Sequence, residues 1–571
     1  MKPQVDQARL RAAAEAASAG DLATAAERFA ALAAEHPDDD TIACNLGAVL
    51  QALGRDDEAI ASYRRAAALG GDAAAMSQYN LGTVLAARGD TDGACAAYRA
   101  ALERAPELAQ AHGNIGTLHY AAGDYAAAET ALTRAVELAP DNAWARRNLG
   151  AVLCALGRPA DAVECYRRAI ELDPASPDGY TGCGDALSLQ GKGDEALAMY
   201  RTAVVAPGTS DARRRLAAAL GARGDDGEAE RVYRELCERD PDDPWGWNGL
   251  GTVYEAREQR DLAQEAFARA TVLDPEWATP HYNIGVSLQR QERLEEAVVA
   301  YRNALRLDPE LLVALRNMGG VLRDLGRSDE AMETYRQVLA LEPSDAVTGH
   351  LLAALEGTTP ERAPAAYVEQ LFDAYAPRYS EHMRETLGYR APEILRHTVQ
   401  AAAGAGHHFA RALDLGCGTG LTGVVMRELA GYLEGVDLSA EMLARAREDG
   451  AYDQLVRADL VDHLTAVPAA SFDLILSTDV LIYLGDLAPV FAGVRRALTP
   501  GGRFGFTVEA LESEGDVALR GSARFAHGRD YLARLGASVG LRLQSCESLG
   551  LRLEKGSLVP GLVLLFAAPS A

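Results

Sequence analysis

Residues Ala410–Gly420 read ARALDLGCGTG, and the rest of the chain is organised around that stretch. Leu413 and Leu415 are apolar strand residues, Asp414 stands at the strand's end, and Gly416, Gly418 and Gly420 follow. A helical stretch, Leu421 to Tyr432, comes next. Backbone without Cβ atoms passes close to a ligand, and a helix start offers free N–H groups to a carboxylate or phosphate. The pattern predicts a small-molecule site, and the residues before it read as a device for presenting something to it.

The chain has 571 residues, room for more than one domain. Its 82 acidic and 56 basic residues give a net charge of −26, which disfavours DNA or an anionic membrane as partner. Lysine is nearly absent (Lys2, Lys192, Lys555), and arginine with heavy alanine suggests a GC-rich bacterial genome. Eight cysteines without a CxxC pair read as reduced core residues of a cytosolic protein. MKPQVDQARL at the start has no apolar signal core, and the apolar run Leu558–Ala568 is broken by Pro560 and Gly561. A cytoplasmic location is expected, and no metal-ligand spacing is present.

Upstream, a block recurs with a period of about 34 residues. Its anchor is glycine at 47, 82, 116, 150, 184, 251, 285 and 319, with Ala13 and Ala218 in two weaker copies. About twelve residues after most anchors comes alanine, then an aromatic four residues on, as in Ala59/Tyr63 and Ala331/Tyr335. A proline closes most copies, Pro37, Pro174, Pro207 and Pro343 among them. Small residues let paired helices approach, the aromatic fills the gap between neighbouring pairs, and proline stops the second helix. The pattern resembles tetratricopeptide repeats, about ten copies over residues 1–344. Asp345–Gly357 reads as a lone capping helix, and Glu356–Ala365 as a short tether within a 345–366 junction. Two residues before the anchor stand Asn45, Asn80, Asn114, Asn148, Asn283 and Asn317. In tetratricopeptide proteins this slot faces the concave groove. The resemblance therefore implies an amide ladder for a peptide or protein partner, like the one in O-GlcNAc transferase.

From Tyr367 the period vanishes, and strand and helix patterns alternate to Ala571, which predicts a parallel sheet with helices on both faces. Leu541–Ser548 and Gly561–Ala567 read as an antiparallel terminal hairpin. Asp414, Asp437 and Asp459 follow three successive strands, where ligands of such sheets bind. A carboxylate at the second strand suits a ribose diol, one near the third suits an adenine amino group, and Met442 can pack on the adenine ring. The cofactor is a dinucleotide, since Gly418, Gly420 and Gly423 spell GxGxxG, or S-adenosylmethionine. Asp414 two residues before the first glycine, the terminal hairpin and the lack of any further glycine-rich constellation favour the second.

DLGCGTG, VDLS, RADL and FDLILSTDVLIYLGDL together with the hairpin resemble a class I S-adenosylmethionine-dependent methyltransferase. The lead-in FDAYAPRYSEHMRETLGYRAPEIL resembles that of a bacterial subgroup carrying tetratricopeptide repeats, and of the Williams–Beuren-region methyltransferases. The resemblance implies an all-α superhelix followed by a Rossmann-like domain at 367–571 with a seven-stranded sheet. It implies that Asp414, Gly416, Cys417, Gly418 and Gly420 hold the methionine end, Asp437 and Leu438 the ribose, and Met442, Asp459 and Leu460 the adenine. It implies Tyr375 and Tyr379 on a lid helix, and Arg390 at the methionine carboxylate.

Methyl transfer needs mainly alignment, and an oxygen or nitrogen nucleophile can also need a base. Asp479, Tyr483 and His527 are the candidates, and Arg524, His527 and Tyr531 the candidate acceptor-pocket residues. Arg552 and Glu554 are expected to pair structurally. The fourth strand ends in STDV rather than a (D/N)PP(Y/F) run, which argues against DNA-base amino methylation. The expected function is methylation of a protein or carrier-bound substrate recruited by the repeats; the alternative is a binding protein with a non-catalytic cofactor module.

Overall fold

The computed structural model describes residues 7–206, 208–404, 406–554 and 557–570. Pro207, Lys2 and Lys555 lie outside the described residues. The chain divides into two compact units, Met1–Pro275 and Glu276–Ala571.

The first unit is helical, from α1 (Gln7–Ser18) and α2 (Leu22–Glu35) through a succession of pairs to α16 (Arg260–Leu273). The second opens with two more pairs, α17 (Ala278–Arg290) to α20 (Ser328–Leu341), and the lone helix α21 (Ala346–Glu356). The repeat landmarks have a direct physical cause. A Cβ on Gly319 would stand 2.4 Å from the Tyr335 ring, and one on Gly285 2.6 Å from that of Tyr301. Only glycine leaves room for the ring between the two helices of a pair. The same rings meet the next copy: Asn114 Nδ2 donates to Tyr98 Oη at 3.2 Å. Where the slot holds Gly182 or Gly249, a Cβ would strike Tyr166 or Tyr233. The aromatics thus join neighbouring pairs, as the period predicts. Helix Pro159–Leu172 ends on Asp173, directly before Pro174. Asp345 caps α21 through the Thr348 N–H, and Gly357 ends it in the left-handed conformation.

The α/β part holds nine strands among the described residues. They are β1 (Phe409–Leu415), β2 (Ala430–Asp437), β3 (Gln454–Arg457), β4 (Phe472–Ser477), β5 (Leu498–Ala510), β6 (Val517–Leu519), β7 (Phe525–His527), β8 (Arg542–Glu554) and β9 (Ser557–Ala567). Parallel strands run in the order 3-2-1-4-5, and β9 lies antiparallel between β5 and β8. That is the expected seven-stranded sheet with its terminal hairpin. The hairpin β6–β7, which no sequence pattern suggested, is added where β7 pairs with Glu509 and Ala510. Residues Leu474, Ile475 and Leu476 of β4 are apolar in succession because both faces of the strand are covered. Phe491, Val494 and Leu532 pack on one face, Leu395, Val399 and Met426 on the other. No helix among the described residues is long and apolar enough to cross a membrane.

The stretch expected to be a tether is strapped down instead. The Glu361 carbonyl accepts N–H bonds from Gly485 and Asp486, each at 2.8 Å, and the Ala363 N–H donates to the Tyr483 carbonyl at 2.9 Å. Backbone groups satisfied by the loop after β4 are not available to water, so the segment is pinned. The capping helix is held too, with His350 Nε2 3.1 Å from the Ala523 carbonyl.

Candidate functional site

The glycine turn between β1 and helix Leu421–Met426 bends as the sequence requires: Gly416, Gly418 and Gly420 have φ of +73°, +55° and +95°. At Gly416 a Cβ would meet Val480 at 2.4 Å. At Gly418 nothing lies nearer than the Tyr379 ring at 4.0 Å, so that backbone faces open space. The space is a cavity at the carboxyl ends of the parallel strands, open in part to solvent.

Asp437 ends β2 and is fixed by two backbone donors, Gly418 N–H at 2.8 Å on Oδ2 and Ser439 N–H at 2.9 Å on Oδ1. Burial pushes its carboxyl above the usual range, against those hydrogen bonds. It lines the cavity with Gly416, Cys417, Gly418, Leu438, Met442, Asp459 and Leu460, all expected there. The remaining lone pairs of Asp437 suit a vicinal diol, and Met442 offers a polarizable thioether to a flat ring. Tyr379 also lines the cavity. Over it lies α22 (Ala365–Tyr375), tied by Asp373 Oδ1 to Ser439 Oγ at 2.5 Å and by Glu369 to Arg457.

Several expected residues are elsewhere. Asp414 is fully buried and not on the cavity wall. Tyr452 Oη donates to its Oδ2 at 2.7 Å, and Oδ1 has no partner. Burial pushes its carboxyl up to about 7, against the Tyr452 hydrogen bond. Gly420 caps the helix without lining the cavity. Tyr375 turns aside to His382 Nδ1, 2.5 Å away, and Arg390 is exposed at the start of helix Ala391–Ala403.

Of the three base candidates, Asp479 and Tyr483 line the cavity and His527 does not. His527 is fully buried with Nε2 2.9 Å from the Leu484 carbonyl, and burial lowers its pKa to about 4. Asp479 Oδ1 accepts from Arg552 Nη1 at 2.6 Å, and Arg552 also pairs with Glu509. Tyr483 is pushed up to about 12 by burial. Arg524 bonds Glu554 Oε2 at 2.8 Å and Tyr531 accepts from the Leu487 N–H at 3.4 Å; neither lines the cavity. Arg552 and Glu554 are paired, as expected.

Sequence reasoning missed Tyr389, Phe372, Thr478 and Arg362 on the cavity wall. Phe372 and Tyr389 fall in the aromatic lead-in that resembles a lid; Arg362, in the stretch taken for a tether, had no local signal.

A family model described as "Methyltransferase domain" matches residues 413–506, and tetratricopeptide-repeat models match 10–74, 71–141 and 107–175. The chain is a tetratricopeptide-repeat protein with a C-terminal methyltransferase domain. A further model, "Cilia and flagella-associated protein 70 C-terminal domain", matches 174–385. The methyltransferase domain is similar to a malonyl-[acyl-carrier protein] O-methyltransferase of Enterobacter lignolyticus, 33% identical over 171 residues, covering 29% of this chain and 64% of that one. Human methyltransferase-like protein 27 is 36% identical over 107 residues, 18% of this chain and 43% of that one. A ubiquinone biosynthesis O-methyltransferase of Xanthomonas oryzae pv. oryzae is 30% identical over 130 residues, 22% of this chain and 52% of that one. The chain thus spans 43% to 64% of the length of these relatives.

Proposed function

We propose that the methyltransferase domain is a class I enzyme using S-adenosylmethionine, and that the repeats bring it a protein or carrier-bound acceptor. The observation carrying this reading is Asp437, held by two backbone N–H groups in one cavity with the glycine turn, Met442 and Asp459. The cofactor, when bound, supplies a methyl group already activated on a sulfonium. The chain's residues then bind and align. Asp437 takes the ribose hydroxyls, Asp459 the adenine amino group, Met442 and Leu460 the ring faces, and Gly416–Gly418 the methionine end. Tyr379 and Phe372 exclude water, and alignment alone is worth roughly 7–11 kcal/mol.

Asp479 and Tyr483 stand on the acceptor side. The Arg552 ion pair holds the first and burial keeps the second protonated, so they shape the pocket and present a phenolic donor rather than remove a proton. Names of relatives as O-methyltransferases, one acting on an acyl-carrier protein, support an oxygen acceptor delivered on a protein. Asn114 and Asn317 already donate to tyrosine hydroxyls, which orients their amide oxygens for a bound peptide.

The test is calorimetric titration with S-adenosylhomocysteine and with NAD, followed by tritium transfer from labelled S-adenosylmethionine into cell lysate with and without the repeats. Heat with S-adenosylhomocysteine alone and a repeat-dependent labelled product are expected. Heat with NAD alone removes the cofactor reading, and equal labelling without the repeats removes recruitment.

A further inference from the structure

The cofactor cavity is completed by a residue that precedes the methyltransferase domain's own lead-in helix. Arg362 belongs to the strap between α21 and α22, yet its Nη2 reaches Asp459 Oδ2 at 2.5 Å, and both residues line the cavity. The other oxygen of Asp459 accepts the N–H groups of Val461 at 2.8 Å and Asp462 at 3.3 Å. Burial would raise this carboxyl, but the Arg362 hydrogen bond and charge outweigh it and hold the group below the usual range.

The strap is built to put Arg362 there. On one side the Glu361 carbonyl accepts two N–H bonds, and on the other Ala363 is only 2% exposed. Arg362 itself forms a bridge with Leu484. At Gly485 a Cβ would stand 2.6 Å from the Pro360 carbonyl, so the loop after β4 tolerates the strap only because it is glycine there. Thr359 Oγ1 accepts the Leu519 N–H at 3.3 Å, which gives the added hairpin β6–β7 a purpose as the strap's far wall.

We propose that Arg362 is a positioning residue of the cofactor site, orienting Asp459 so that its carboxylate meets the adenine amino group. The inference rests on the proposed function above. A planar guanidinium fixes a carboxylate in direction as well as charge, which an ammonium on a flexible stem does less well.

The test uses the full chain, with S-adenosylhomocysteine and its 6-oxo analogue S-inosylhomocysteine titrated into wild type, Arg362→Met, Arg362→Lys and the control Arg336→Met. Arg336 pairs with Glu356 away from the cavity. Wild type prefers the adenine ligand. Arg362→Met weakens it about tenfold, the scale of a lost charge-assisted hydrogen bond, and brings the two ligands close to equal affinity. Arg362→Lys retains part of the preference, and the control retains all of it. Unchanged affinity in Arg362→Met overturns the assignment. So does equal weakening of both ligands, because that is what loosened packing alone would produce. A wild-type chain that binds neither ligand instead removes the proposed function, and is told apart by the wild-type titration itself.

Discussion

At the scale of single residues, the carboxylates after the strands have unlike environments and separate jobs. Asp437 faces the cavity and is held by backbone; Asp414 lies beneath it, bonded to Tyr452. Asp437→Asn is expected to weaken S-adenosylhomocysteine about tenfold or more in calorimetry, since hydrogen bonds to a charged group are worth about 1.5–3 kcal/mol. His527 carries a different prediction. Buried neutral, with its pKa lowered from 6.5 to about 4, it contributes stability in full above about pH 6.5. That contribution fades as pH falls towards 4, because the unfolded chain takes up the proton first. His527→Ala is expected to cost about 1–3 kcal/mol at pH 8, seen in thermal melts, with the gap to wild type closing on acidification. Its affinity for S-adenosylhomocysteine should stay at the wild-type value.

At the scale of elements, the helix pair is set by one close approach. Gly319 and Gly320 are neighbours in α19 (Leu312–Asp324), but only the first faces a ring. Gly319→Ala should destabilise by about 1–3 kcal/mol through overpacking against Tyr335. Gly320→Ala, with nothing within 4 Å of the new Cβ, should stabilise by about 0.5–1 kcal/mol. Denaturant melts of the two variants check both signs. This contact is also why the repeats were legible from sequence: most copies restate the same steric fact in the same phase. The glycine turn and Asp437 were legible because strand, bend and acid are local. Tyr375 ends the helix over the cavity as expected, but neither it nor Arg390 lines the wall, because nothing local shows which way a side chain leaves a helix end. Arg362 was invisible because its partner Asp459 stands far along the chain, and the hairpin β6–β7 because strands of three residues are too short to show an alternating pattern.

At the scale of the molecule, every residue on the cavity wall lies at or after Arg362. A chain beginning at Glu276 should therefore bind S-adenosylhomocysteine within about twofold of the full protein by calorimetry. On the proposed recruitment by the repeats, its yield of labelled product in lysate should fall. Equal labelling would move the acceptor's recognition into the second unit.

The buried Arg552 on β8 sets an order of events during synthesis. It anchors Asp479 and Glu509 from a strand made after both, and β9, later still, completes the pairing of β5. Helical repeats close on their neighbours as they leave the ribosome, one pair at a time. The cavity wall waits for the hairpin. A growing chain thus completes the helical pairs of the first unit well before Arg552 can reach Asp479 and Glu509.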